Sequence, residues 1–371
     1  MKIVGWTIHL FETRPSRHQE VAHFARNKTM ANGVAILHTD EGIDGVVSAG
    51  AARLMQLARA WPAVAEHVVG RSPLDRLAIE TLLHKRFLWH TELIGLVDHA
   101  LWDITGKMFQ QPIYKLLGGY RDKVLGYAST VHHASDERFL ETVEAARASG
   151  FKAIKIHPYG VLTDDMRLCR KVRETAGDDM ILMLDSMSYP GPYTRYEATQ
   201  MVALLDELKF YWLEDPLDHR DLEGLADLRR LRRHVQIRGA DRVLHMQEYA
   251  AMVQRGCIDI IAGPVSWGIT DLLKLAHFAE VNGMMMEPHD FVGGTASLHA
   301  LLAITNGNFY EIAVPRGSFD NMQYPGLYLD ACWIDADGYV PAPTKPGLGF
   351  DLDFDLVRLV TRETIELHCK T

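Results

Sequence analysis

The sequence predicts an α/β barrel of eight parallel strands and seven helices, with a smaller α+β region before it. From residue 124 to residue 314, short apolar, β-rich runs alternate with helical stretches, as in a parallel barrel. The preceding part has hairpin-like strands and then long helical stretches, and it ends at Pro112 and the Gly118-Gly119 pair. Acidic residues also close three successive apolar runs at nearly equal intervals, which suits a repeating strand-helix unit.

Residues 1 to about 50 predict a small antiparallel sheet. The runs "KIVGWTIHLF" and "NGVAILHTDEGIDGVVS" are rich in β-forming residues, and the second carries an Asp-Glu-Gly turn at a hairpin position. Between them, at about residues 12–30, lies a polar, locally basic segment. It is either a solvated loop or a lid over an anionic ligand. Its candidate substrate-binding residues are Arg14, Arg17 and His18.

From Ala51 to about Gly119 the pattern is helical, with Leu54, Leu57 and Ala58 at the spacing of one helix face. We therefore expect an α+β domain over residues 1–119 and a barrel over residues 120–320. Residues 321–371, rich in Pro, Gly and Asp, would form a segment that returns to the N-terminal domain. The eight predicted barrel strands are 124–131, 152–157, 181–185, 210–214, 235–239, 258–262, 284–287 and 309–314.

Composition excludes several classes of partner. The formal net charge of -9 argues against nucleic acid, because no large basic face is available to neutralise phosphates. No apolar run approaches ~18 residues, so we expect no transmembrane helix, and the N-terminus does not resemble a signal peptide. The four cysteines form no CxxC pair, which indicates free thiols in a reducing cytoplasm.

Three carboxylates at predicted strand ends indicate a metal site. "ILMLD" ends at Asp185, "FYWLE" at Glu214 and "VQIRGAD" at Asp241, with intervals of 29 and 27 residues. Parallel strands in a barrel bring their C-terminal ends together, and gathered carboxylates repel unless a cation lies between them. Oxygen ligands favour a hard ion such as Mg²⁺. The alternative for each residue is a helix N-cap or a solvated loop position.

Other strand ends also carry ionisable residues where a barrel core would have Val, Ile or Leu. In "FKAIKIH", Lys155 and His157 share one face of the second strand because they are two residues apart. The remaining candidates are His132 and His133 on the first strand, His289 on the seventh and Glu311 on the eighth.

This arrangement predicts removal of a proton next to a carboxylate. A bound metal stabilises the enediolate that forms when the α-proton leaves, and a histidine is a suitable base because its ordinary pKa is about 6.5. We expect His157 to be that base, with Lys155 close enough to favour its neutral form. His289 would face the substrate from the other side.

At these residues the chain resembles the enolase superfamily, and within it the mandelate racemase-like sugar-acid enzymes. The motifs "LVDHALWDITGKMFQQPIYKLLGG", "FKAIKIH", "LDSM", "WLEDPLDHRDLEGLADL" and "EPH" occur in family order. The resemblance implies a capping domain, built from the N-terminal region and the C-terminal segment, on a modified TIM barrel, (β/α)7β. It also implies Mg²⁺ bound by Asp185, Glu214 and Asp241, and we expect a homo-oligomer.

The chain departs from the family pattern in three places. The second-strand motif ends in His157 instead of lysine, the third metal ligand is Asp241 instead of glutamate, and Pro264 stands where a sixth-strand Asp usually pairs with the seventh-strand His. Without that partner, His289 is better suited to donate a proton than to remove one from carbon.

We therefore predict a sugar-acid dehydratase in which His157 is the base and His289 the acid, with Lys155 and Glu311 supporting the enediolate. The basic segment near Arg14 favours a diacid, an aldarate, over an aldonate. The alternatives are an epimerase, a racemase or a lactone cycloisomerase that uses the same enediolate, and a non-catalytic barrel that binds a small acid.

Overall fold

The computed structural model describes residues 1–13, 30–87, 91–186, 192–239, 243–289, 295–315, 327–329 and 332–368. Two sheets organise the described chain, a four-stranded antiparallel sheet and a curled parallel sheet. No helix in these ranges is both long enough and apolar enough to cross a membrane.

The N-terminal part combines an antiparallel sheet with a helical layer. Its elements are β1 (Ile3–Thr13), β2 (Met30–Thr39), β3 (Gly45–Gly50), α1 (Ala51–Val68), α2 (Arg76–Arg86), α3 (Thr91–Met108) and α4 (Ile113–Leu116). The predicted hairpin turn joins β2 to β3, and Gly42 there has φ +75, which glycine adopts without a steric penalty. In α1 the buried residues follow the 3.6-residue period and pack on the sheet.

The barrel follows, with eight strands and seven intervening helices among the described residues. Its elements are β4 (Lys123–Thr130), α5 (Asp136–Ala148), β5 (Ala153–Ile156), α6 (Leu162–Ala176), β6 (Ile181–Asp185), α7 (Arg195–Glu207), β7 (Trp212–Glu214), α8 (Leu222–Leu231), β8 (Gln236–Gly239), α9 (Met246–Gln254), β9 (Ile260–Ile261), α10 (Ile269–Val281), β10 (Met285–Met286), α11 (Ala296–Ala303) and β11 (Phe309–Val314). The strand order is β10-β9-β8-β7-β6-β5-β4-β11, and neighbours pair in parallel. Each predicted barrel run overlaps one strand, which confirms the barrel.

A buried glutamate joins the two strands at the ends of this order. The carboxylate of Glu287, just after β10, accepts hydrogen bonds of 3.0 Å from the backbone N–H groups of Asn308 and Phe309 at the start of β11. Burial raises the pKa of Glu287 to about 7. This side chain therefore helps to close the barrel beside β10, a strand of only two residues.

The C-terminal segment returns to the N-terminal sheet, as predicted. Its elements are β12 (Tyr339–Pro341), α12 (Phe354–Val360) and β13 (Glu363–His368). β13 pairs antiparallel with β1, while β12 pairs antiparallel with β4 of the barrel. The segment thus belongs to both sheets, a connection that the sequence did not predict.

Side chains inside the barrel form two layers, an apolar one below and a charged one above. Tyr127, Trp212 and Phe309 pack edge to face, with ring centroids 5.6 to 6.4 Å apart, and they fill the interior together with Met183 and Ile260. This plug leaves the C-terminal ends of the strands as the open face of the barrel.

The N-terminal part contacts the barrel through α3 and α10. A Cβ atom on Gly95 would clash with the backbone oxygen of Ser266, so glycine lets α3 approach the turn after β9. Nearby, His84 of α2 lies 2.9 Å from Asp271 of α10, and Lys274 lies 2.9 Å from the same carboxylate. This contact holds the N-terminal domain over the barrel's open face.

Candidate active site

Three adjacent strands place charged side chains in one row at the barrel's open face. The parallel register pairs Asp185 with Glu214, and Glu214 with Arg238. Residues in register on parallel strands face the same side, so all three side chains enter the barrel interior. Their sequence neighbours pack outward into the main core: Leu184, Leu213 and Ile237.

The ammonium group of Lys155 forms ion pairs with three carboxylates, two in this row and one on β11. Its Nζ lies 3.3 Å from Oδ2 of Asp185, 3.2 Å from Oε2 of Glu214 and 3.0 Å from Oε1 of Glu311. Burial lowers the pKa of Lys155, but the charges of Glu214 and Glu311 outweigh burial and hold that pKa well above its ordinary value. Lys155 is therefore a fixed cation in the centre of the site.

Arg238 is a second buried cation in the same row. Its Nη1 contacts Oε1 of Glu214, and its Nη2 donates a 2.9 Å hydrogen bond to the backbone oxygen of Glu287. Sequence reasoning did not identify this residue. The signal was present in "VQIRGAD", where Val235 and Ile237 alternate with Gln236 and Arg238, a period that directs the arginine inward.

Glu311 lies between Lys155 and the seventh strand. It accepts a 2.7 Å hydrogen bond from the hydroxyl of Ser129 on β4. Burial raises the pKa of Glu311, but the charge of Lys155 and then that of His289 outweigh burial and bring the pKa to about 2. Its second oxygen, Oε2, lies 3.9 Å from Nε2 of His289, so one ionised carboxylate faces both Lys155 and His289.

His157 lies just beyond β5, on the opposite side of Lys155 from His289. Its Nε2 is 3.2 Å from Oδ2 of Asp185, and its backbone N–H donates a 3.1 Å hydrogen bond to Oγ1 of Thr130. The ring of His132 packs 5.3 Å from that of His157. Burial, followed by the neighbouring His157, lowers the pKa of His132 to about 3, so His132 is neutral at pH 7.

His133 faces away from this group. Its Nε2 is 2.9 Å from the hydroxyl of Thr142, and its ring packs edge to face on Phe139, with centroids 4.9 Å apart. Both partners belong to α5, which packs on the outer side of the strands. The contacts of His133 are those of a residue packed against α5, and its substrate role stays a prediction.

His289 is held by the segment that follows β9, beside Pro264. Its backbone N–H donates a 2.9 Å hydrogen bond to the oxygen of Gly263, and the two segments form a parallel bridge between Pro264 and His289. The bridge fixes the backbone of His289, and the carboxylate near its ring comes from β11.

A cavity of about 440 Å³ extends from His289 to the N-terminal domain. Its barrel side includes Pro264 and Trp267, and its other side includes Ser48 and Arg53. Arg53 forms a 2.8 Å ion pair with Glu92, which also lines the cavity. The volume is sufficient for a small polar molecule, and the walls offer both hydrogen-bond donors and acceptors.

Four predicted site residues lie outside the described part of the chain, and their roles stay predictions: Arg14, Arg17, His18 and Asp241. The structure brings together the other principal candidates within one connected network. Its members are Lys155, His157, Asp185, Glu214, His289 and Glu311.

The donor set at the barrel's open face suits a hard cation. Asp185 and Glu214 present carboxylate oxygens on neighbouring strands, both within 3.3 Å of one ammonium group. Within the described ranges, donors also converge at Glu80, His84 and Asp271 on the seam between the domains. There the ammonium of Lys274 already contacts both carboxylates, at 2.5 and 2.9 Å, so we interpret that cluster as a structural ion-pair network.

Comparison with known proteins agrees with this architecture. Residues 7–118 match the mandelate racemase / muconate lactonizing enzyme N-terminal domain, and residues 138–356 match the enolase C-terminal domain-like family. Arabinonate dehydratase of Saccharolobus solfataricus is 30% identical over 272 residues, which cover 70% of this chain and 69% of that protein. The 3,6-anhydro-alpha-L-galactonate cycloisomerase of Streptomyces coelicolor is 30% identical over 269 residues, 71% of each chain.

A solved structure extends the likeness to the whole fold. D-glucarate dehydratase from Agrobacterium tumefaciens, complexed with magnesium, is 27% identical and superposes with a TM-score of 0.86. The match covers 97% of this chain and 99% of that one. The chain therefore belongs to the mandelate racemase and muconate lactonizing enzymes of the enolase superfamily, an enzyme family whose members similar to this chain include sugar-acid dehydratases, which are hydro-lyases.

Proposed function

We propose that the protein is a Mg²⁺-dependent dehydratase that converts an aldonate or aldarate into a 2-keto-3-deoxy acid. One observation carries the proposal: the two candidate histidines have unlike surroundings. His157 lies against Asp185, whereas the backbone of His289 is bridged to Pro264 and its ring has Glu311 at 3.9 Å. A dehydratase needs one base and one acid, while a racemase needs a competent base on each face. Unlike surroundings therefore favour dehydration.

Asp185 and Glu214 are the described residues that we propose as Mg²⁺ ligands, with Asp241 as the third ligand predicted from the sequence. Around them, three carboxylates against the two cations Lys155 and Arg238 leave one excess negative charge. When bound, Mg²⁺ would polarise the substrate carboxylate and stabilise the charge that develops there. The magnesium complex of D-glucarate dehydratase supports the same cofactor here.

The chain's own residues would then divide the proton transfers. His157 Nε2 removes the proton α to the carboxylate, and the ammonium of Lys155 stabilises the resulting enediolate. Glu311 keeps Lys155 in place through their 3.0 Å ion pair. His289 donates a proton to the departing β-hydroxyl, and water leaves. The enol product tautomerises to the 2-keto-3-deoxy acid.

The substrate's far end would reach the cavity wall of the N-terminal domain. The Arg53–Glu92 pair and Ser48 lie there, and such groups suit hydroxyls of a sugar chain. The basic segment around Arg14 and Arg17 favours a second carboxylate and hence a diacid. Arabinonate and D-glucarate are the substrates named for two relatives, one an aldonate and one an aldarate.

A second candidate function uses the same first step. The cycloisomerase of Streptomyces coelicolor has the same 30% sequence identity to this chain as the arabinonate dehydratase. An enediolate formed by His157 could collapse by ring rearrangement or by reprotonation at carbon, which would give a cycloisomerase, an epimerase or a racemase.

The experiment is a library of aldonates and aldarates incubated with the purified protein and Mg²⁺ in deuterium oxide. A dehydratase gives 2-keto acid, detected with semicarbazide. Deuterium at the α-carbon without keto acid would identify the epimerase or racemase. Binding with neither product nor exchange would contradict both and leave an acid-binding barrel.

We also propose a reducing compartment, the cytoplasm, and a homo-oligomeric assembly. Cys169 and Cys257 are buried free thiols, which supports the first. Analytical ultracentrifugation of the purified protein tests the second, and a monomer at micromolar concentration would contradict it.

A further inference from the structure

Arg238 is held rigidly inside the barrel by three different partners. One guanidinium nitrogen contacts Glu214, a second donates a 2.9 Å hydrogen bond to the backbone oxygen of Glu287, and the group lies 5.1 Å from the ring centroid of Trp212. The side chain is fully buried. Guanidinium remains protonated at any pH that a folded protein tolerates, so Arg238 is a permanent cation at this position.

Arg238 and Lys155 divide the two oxygens of Glu214 between them. Arg238 contacts Oε1, while the Nζ of Lys155 lies 3.2 Å from Oε2. Glu214 is also in register with Asp185, our other described candidate for a metal ligand. A divalent ion that binds both Asp185 and Glu214 must therefore share the Glu214 carboxylate with two cations of the protein.

We propose that Arg238 is a positioning residue of the metal site that fixes Glu214 through one oxygen and weakens the binding of a divalent cation before substrate arrives. The inference rests on the proposed Mg²⁺ site. The physical reason is repulsion: two cations on one carboxylate destabilise each other, and burial reduces the screening between them. Three carboxylates and two protein cations leave one negative charge, so a bound divalent ion makes the group positive by one. The anionic carboxylate of the substrate neutralises that charge, so the metal binds the substrate complex more tightly than it binds the free protein.

The position of Arg238 supports a role at the site rather than in packing alone. The same row holds only charged residues on β6, β7 and β8, and the apolar plug of Tyr127, Trp212 and Phe309 lies in the layer beneath. If Arg238 served packing alone, a long apolar side chain could fill the same volume above the ring of Trp212.

The test is the affinity for Mn²⁺, measured by electron paramagnetic resonance without substrate. Arg238→Met removes the charge and keeps an unbranched side chain; Arg238→Lys keeps the charge and is the matched control. We expect Arg238→Met to bind Mn²⁺ at least ~10-fold more tightly than the wild type, and Arg238→Lys to stay within ~3-fold of it. Addition of a substrate acid should raise the Mn²⁺ affinity of the wild type more than that of Arg238→Met.

Circular dichroism verifies that each variant is folded, and Arg238→Gln, which can still donate to the oxygen of Glu287, replaces the methionine variant if that one does not fold. If the wild type binds Mn²⁺ and a folded neutral variant binds it no more tightly, the role proposed for Arg238 is overturned. The metal site of the proposed function is not affected by that result. If neither protein binds Mn²⁺, with or without acid, the metal site of the proposed function fails as well.

Discussion

The imidazole Nε2 of His157 lies 3.2 Å from Oδ2 of Asp185, so the candidate base and a candidate metal ligand touch at the ends of neighbouring strands. An imidazolium formed by proton uptake would rest against a carboxylate. The backbone N–H of His157 is held separately by Oγ1 of Thr130. The base therefore contacts β4 through its backbone and β6 through its ring.

Replacing His157 by Asn should remove the base and leave the carboxylates in place. We expect the exchange of the substrate's α-proton with solvent to fall by about 10³-fold, within the range that a positioned acid or base supplies. Nuclear magnetic resonance in deuterium oxide measures that exchange. Mn²⁺ affinity serves as the control and should remain near that of the wild type. Rapid exchange in the folded variant would refute the assignment of His157.

Replacing His289 by Asn should separate the two proton transfers. Loss of the acid slows departure of the β-hydroxyl by about 10² to 10⁴-fold, while His157 still removes the α-proton. We therefore expect deuterium at the α-carbon of recovered substrate with little 2-keto acid. Equal loss of exchange and dehydration would show instead that His289 takes part in the first step.

Replacing Lys155 by Met should destabilise the fold as well as the site. Three carboxylates would lose a shared, fully buried cation, and breaking a buried ion pair costs about 3–5 kcal/mol in the free energy of unfolding. Urea denaturation at pH 8 measures the change. Lys171→Met is the control, because the side chain of Lys171 is 43% exposed where it forms a 2.9 Å ion pair with Asp136, and it should contribute about 0–1 kcal/mol.

The seam between the domains should respond to alkaline pH. Hydrogen bonds to Asp271 and Glu80 raise the pKa of His84 to about 9. A histidine whose folded pKa is raised stabilises the protein fully below its unfolded pKa of about 6.5, and that stabilisation is lost as the pH rises through about 9. His84→Gln should therefore lower the midpoint of thermal unfolding at pH 6, and the difference from the wild type should shrink by pH 10.

His277→Gln, which changes an exposed histidine on the same helix as Asp271, is the matched control for that experiment. A difference between His84→Gln and the wild type that stays constant from pH 6 to pH 10 would contradict the ionic role of His84.

Strand periodicity and strand-end chemistry made much of this structure predictable. Asp185 and Glu214 could be found because an acid after an apolar run, repeated at one interval, has a geometric meaning in a barrel. Arg238 was missed because, in the run that ends at Asp241, only the terminal acid was taken as a candidate. Arg238 lies three residues before Asp241 and shares one side of the strand with Gln236. Only the alternation of side chains within the strand reveals it.

Contacts between distant parts of the chain were beyond prediction. Glu311 bonds Ser129 from 182 residues away, and His84 bonds Asp271 from 187 residues away. Neither pair has a local signal, because each residue by itself resembles an ordinary polar position. The pairing of β12 with β4 is of the same kind, since the run that forms β12 is only three residues long.

The pairing of β13 with β1 bears on the order in which the protein acquires its structure. Gly5 to Leu10 align with Glu363 to His368, so one edge of the first sheet is completed by residues made more than 350 positions later. During synthesis β1 exposes an unpaired edge for nearly the whole chain length, and such edges recruit foreign strands. Removal of Glu363 to His368 would leave that edge open in the finished protein, and aggregation is the expected result.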